Sequence, residues 1–63
     1  MLNLSELVIQ HPEVDSFHDV VLLVRQRAAD GEILLHFDVK PDYIDTRRNW
    51  QWQLETAFNR GMR

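Results

Sequence analysis

Apolar positions are densest in the middle of the chain, where residues 17–40 read Phe-His-Asp-Val-Val-Leu-Leu-Val-Arg-Gln-Arg-Ala-Ala-Asp-Gly-Glu-Ile-Leu-Leu-His-Phe-Asp-Val-Lys. Two runs rich in β-branched and aromatic residues flank Asp30-Gly31, a dipeptide that tolerates the positive φ a two-residue hairpin turn requires. The pattern predicts an antiparallel β-hairpin. With Asp30 and Gly31 as its loop, Ala28 faces Ile33, Gln26 faces Leu35, Val24 faces Phe37 and Leu22 faces Val39, giving one almost wholly apolar face. The opposite face pairs Arg27 with Leu34, Arg25 with His36, Leu23 with Asp38 and Val21 with Lys40. A two-stranded ribbon is marginal in water unless something covers it.

The flanking segments supply the cover. Asn3-Leu-Ser-Glu6 has the form of a capping box, Leu4, Leu7 and Val8 follow at helical spacing, and Pro12 ends the segment. A short helix over about residues 4–10 is expected, although Leu7-Val8-Ile9 also suits an edge strand. Residues 11–16 read as a connector. After Lys40-Pro41, Asp42 or Asp45 is the expected N-cap of a C-terminal helix that begins near residue 43 or 46, continues to Arg60 and stops at Gly61 as its C′ residue. Trp50, Leu54, Ala57 and Phe58, with Tyr43 earlier, form the stripe that roofs the hairpin. The expected fold class is α+β in the order α-β-β-α, one domain over residues 1–63.

Length changes this picture, because 63 residues bury only about 60% of the surface their unfolded chain exposes. Domains of this size commonly need a disulfide, a metal or a second subunit. The chain has no cysteine and three histidines, none paired at i, i+4, so neither disulfides nor a structural zinc is expected. Association is the remaining route, through a homodimer that completes the core or as a subunit that reaches full stability on its partner. The first residues resemble no secretory signal. The longest uninterrupted apolar run, Val20 to Val24, is too short for a bilayer. A cytoplasmic protein with no membrane partner, metal or cofactor is expected.

The net charge of −3 is uneven: residues 1–24 carry −4, residues 25–46 carry −2 and residues 47–63 carry +3. That polarity steers charged partners or draws the two ends of the chain together.

Candidate chemistry is sparse. Trp50 and Trp52 project about 200° apart on a helix, so only one of them belongs to the core stripe. Trp52 instead shares its surface with Arg48, Glu55 and Asn59, the composition of an interface anchor. The plainer alternative is a ring folded over a sheet edge. Leu23, Leu34, His36 and Arg25, on the mixed hairpin face, extend the expected partner-binding surface. His36 and Asp38 share a strand face, but the opposing Arg25 disfavours a cation there. Asp15-Ser16-Phe17-His18-Asp19 contains the residue types of a catalytic triad, yet neighbours along one segment do not converge on a reacting atom. The acidic front, Glu6, Glu13, Asp15 and Asp19, with Asp38, Asp42 and Asp45, reads as the ordinary solubilising kind, the alternative being a mimic of a phosphate backbone that occupies a basic groove on a protein partner. Arg47, Arg48, Arg60 and Arg63 suit phosphate contacts, within a chain whose overall charge opposes nucleic acid. The expected function is therefore a small non-enzymatic regulator, adaptor or inhibitor that occludes a surface of a protein partner. A nucleic-acid-binding regulator using the Arg-rich helix is the alternative.

Overall fold

The computed structural model describes residues 1–62. In chain order it comprises β1 (Leu2–Asn3), α1 (Leu4–Gln10), α2 (Phe17–Ala29), β2 (Leu35–His36) and α3 (Trp50–Gly61). The fold is mostly helical. β1 and β2 form a two-residue parallel pair in which Leu2 lies opposite Leu35 and Asn3 opposite His36.

The predicted hairpin is absent among the described residues, and with it the cross-strand pairings. Its first strand is α2, and the reason lies in spacing. Phe17, Val20, Val24 and Ala28 are the buried residues of this helix, at i, i+3, i+7 and i+11, the period of a helical stripe. A strand would have placed Leu22 and Gln26 inside beside Val24, whereas both are exposed. The helix start is written in Ser16-x-x-Asp19: Ser16 is the N-cap, and its hydroxyl accepts the Asp19 N–H at 3.2 Å. Asp30-Gly31 ends the helix instead of turning a hairpin. The Gly31 N–H donates to the Ala28 carbonyl at 3.2 Å and the Glu32 N–H to the Arg27 carbonyl at 3.1 Å. This paired closure is the Schellman motif, and it needs Gly31 at φ +114°.

The short N-terminal helix is present over Leu4–Gln10 with Asn3 at its N-cap position, but the Asn3 side chain makes no capping hydrogen bond to the helix backbone. The Asn3 side chain donates to Glu6 Oε1 at 3.2 Å. It is Asp38, from the distant loop after β2, that accepts the Ser5 N–H at 2.9 Å and the Ser5 hydroxyl. Asp45 does the same for α2, accepting the Phe17 N–H at 2.6 Å and the His18 N–H at 3.1 Å. Asp45 thus joins Ser16 in satisfying the first amides of α2 and does not cap the C-terminal helix, whose N-cap position is Asn49.

α3 starts at Trp50, later than residue 43 or 46. Thr46 prevents an earlier start: its side-chain oxygen accepts the Tyr43 N–H at 2.9 Å and donates to the Pro41 carbonyl at 2.6 Å. These bonds commit residues 41–46 to a turn, the usual competition between hydroxyl side chains and helical backbone.

The core collects Leu2, Leu4, Leu7, Phe17, Val20, Val24, Ala28, Leu54, Ala57 and Phe58. The stripe expected on the last helix is found, with Trp50 and Tyr43 partly buried against the core. Trp50 packs edge-on against Phe37, ring centroids 5.6 Å apart and planes at 79°. Gly61, expected as the C′ residue beyond Arg60, is instead the last residue of α3 and is buried, with Met62 at the C-cap. It sits where α3 meets α2 near Arg25 and Ala28.

Helix capping by carboxylates ties stability to pH. Asp38 is held below the ordinary carboxylate range by the Ser5 hydroxyl and then the Ser5 N–H. Asp45 is held low chiefly by the Phe17 N–H, with help from that of His18. A carboxyl with a depressed folded pKa stabilises above its unfolded pKa, and that contribution is lost as pH falls through the folded value. The midpoint of thermal unfolding should therefore fall on acidification below the ordinary carboxylate pKa. Asp45→Ala should lower the midpoint by several degrees at neutral pH and flatten its acid dependence, as read by circular dichroism. An unchanged pH profile in that variant counts against the cap.

Candidate functional site

Open depressions lie on and around α2 and α3, and most of the residues expected to bind a partner are divided among three of them. The first lies between the two helices. Trp52 and Leu22 contribute apolar surface and Arg25 and Arg60 contribute charge, around a volume of about 230 Å³. Trp52 is 63% exposed and Leu22 50%, so both side chains face solvent. α3 presents Trp52 outward because its buried positions, Leu54, Ala57 and Phe58, lie around the opposite arc of the helix.

The second depression is lined by Leu34, Glu55 and Asn59 together with Ile33 and Met62, over Phe58 and Leu35. Glu55 and Asn59, on α3, therefore separate Leu34 from the first groove. The third lies beyond Leu22, where Leu23 meets Glu13, Val14 and Asp19. Leu23 is half-buried against the core and contributes little free surface. Glu13 is held below the usual carboxylate range first by a backbone hydrogen bond within its own residue and then by His11. His11 lies 3.0 Å from it through Nδ1. A carboxylate only accepts, so Nδ1 carries the proton in that contact.

Two expected members stand apart. His36 is on β2, with Nδ1 3.2 Å from Asn3 Oδ1. It is across from Asn3, not Arg25, because the strands are β1 and β2 and Arg25 belongs to α2. Arg48 is exposed in the loop before α3, not on the helical face with Trp52. This placement also divides the basic residues. Arg47 and Arg48 precede the helix and Arg60 is in its last turn, about 15 Å along the helix axis from the first residue, Trp50. Arg63 lies outside the described residues.

Leu22 is an exposed residue of the first groove that strand periodicity hid. Counted at 3.6 residues per turn it falls on the face opposite Val20 and Val24, beside Arg25, and that count alone exposes it. Among the described residues no group of three or more His, Asp or Glu side chains is placed to hold a metal ion. No helix among them is long and apolar enough to cross a membrane. The chain matches no protein-family model, no curated protein and no solved structure.

Proposed function

We propose that this chain is a small non-enzymatic protein-binding regulator that acts by covering a surface of a protein partner, and that it works as a homodimer. What carries the reading is Trp52: a tryptophan 63% exposed on an otherwise folded helix, beside exposed Leu22 and two arginines. Trp and Arg are the residue types that dominate binding energy at interfaces, and an amphipathic indole left in water has apolar surface to bury. Exposed Ile33 and Leu34, 70% and 58% accessible, supply a second apolar area on the far side of Glu55 and Asn59, and support association with a second copy.

The test uses the full chain as bait in its native cell, with Trp52→Ala as the comparison and both proteins matched in circular dichroism. Proteins retained by the wild type should be lost with Trp52→Ala. A complex rebuilt from purified components should weaken roughly thirtyfold, the scale of an interface hot spot. Light scattering on the purified chain, read across concentration, should give twice the monomer mass. A partner bound equally by both proteins would remove Trp52 from the interface, and a monomer at all concentrations would remove the dimer.

A further inference from the structure

The groove between α2 and α3 differs from the rest of the surface in charge. The chain has ten acidic side chains and a net charge of −3, yet none of the described acidic residues lines this groove or its continuation past Ala29 to Met62. Arg25 and Arg60 line both parts. Among the described residues neither guanidinium belongs to an ion pair. The acids lie elsewhere: Glu13 and Asp19 line the separate depression on the other side of Leu22. Leu22 thus divides a base-lined groove from an acid-lined one.

We infer that the base-lined groove holds an acidic amphipathic helix of the protein partner. The inference rests on the protein-binding function proposed above and names the chemistry of the occupant. Leu22 and Trp52 give an apolar floor for side chains spaced one helical turn apart, the anchoring pattern of a helix in a groove. Arg25 and Arg60 stand at its sides, where guanidinium groups take carboxylates in two-pronged hydrogen bonds. Glu13 and Asp19 repel the same ligand from the neighbouring depression, so charge selects the groove as well as the partner. A nucleic-acid strand fits less well. Only two cations flank the floor, and one of its two exposed apolar groups is aliphatic and offers no base a stacking surface.

The experiment sorts a displayed library of random helical peptides on the immobilised full-length chain and measures selected peptides by fluorescence polarisation. Enriched sequences should carry net negative charge and two large apolar side chains one turn apart. Their affinity should fall at least about tenfold from low to high salt. On binding, the indole N–H resonance of Trp52 should shift while that of Trp50, packed on Phe37, stays in place. The double variant Arg25→Glu/Arg60→Glu, checked for folding by circular dichroism, should lose these peptides and select basic ones. Enrichment of neutral or basic peptides by the wild type, no enrichment, or an unchanged preference in the double variant overturns the assignment. So does tighter binding of a single-stranded oligonucleotide, or self-association abolished by the same two substitutions. If the cellular partner depends on Trp52 but is indifferent to Arg25 and Arg60, the protein-binding function stands and the acidic-helix assignment falls. If it depends on none of the three, both fall.

Discussion

Gly61→Ala should destabilise the protein by about 2 kcal/mol or more, the cost of forcing an extra methyl group into a packed contact. In an exposed helix the same change gains about 1 kcal/mol, because alanine is the better helix former. Here the sign reverses. A Cβ on Gly61 would overlap the Arg25 carbonyl and stand 2.9 Å from Ala28 Cβ. The obstacle is backbone on an opposing helix, which no rotamer change relieves. Removing the Ala28 methyl should therefore fail to rescue the variant. The measurement is the urea midpoint of wild type, Gly61→Ala and Gly61→Ala/Ala28→Gly. A Gly61→Ala protein as stable as the wild type would mean that α2 and α3 do not approach this closely.

Leu54→Ala should cost about 3 kcal/mol, within the range measured for truncating a fully buried leucine. Leu54 has no exposed surface and lies in the shared core with Val24 and Phe58. Total stabilities of small domains run from about 5 kcal/mol upward, so this one side chain accounts for a large fraction and the variant will be near its unfolding midpoint in mild denaturant. Leu22→Ala removes the same atoms from a residue 50% exposed and should change stability by no more than about 0.5 kcal/mol. Equal costs at the two positions would contradict the placement of α2.

Parts of this fold were legible from residue pattern alone. The N-terminal helix ends before a proline and starts near a capping residue, and the stripe Trp50, Leu54, Ala57, Phe58 marks the inner face of α3. The divergence of Trp50 and Trp52 followed from helical geometry, and it correctly left one indole outside. The middle of the chain misled because Val20 to Val24 is apolar without interruption, and such a run satisfies a strand or a helix equally. Two local signals settle it for the helix: Ser16-x-x-Asp19 before the run, and burial at Phe17, Val20, Val24 and Ala28. Asp30-Gly31 serves a helix stop as well as a hairpin turn, since both need a residue at positive φ. The parallel pairing of Leu2 with Leu35 had no readable signature, because two-residue strands carry no periodicity. Nor did the distant caps, since nothing near Asp38 or Asp45 announces a helix end elsewhere in the chain. Of the residues expected on the partner-binding surface, Trp52 and Arg25 share a groove. Leu22 was missed through the wrong period, and His36 was grouped with Arg25 only by a ribbon that does not exist.

The remote capping of α1 and α2 bears on how the molecule is made. Ser5 waits for a carboxylate 33 positions downstream and Phe17 for one 28 positions downstream, and loop closure over such separations slows folding relative to purely local contacts. While the chain emerges from a ribosome, its first two helices start with amides open to water. They gain their final partners only after the segment around Tyr43 has been synthesised. A nascent fragment cut short of residue 38 thus offers proteases two frayed starts, and the acid residues that seal them act as late fasteners on early parts.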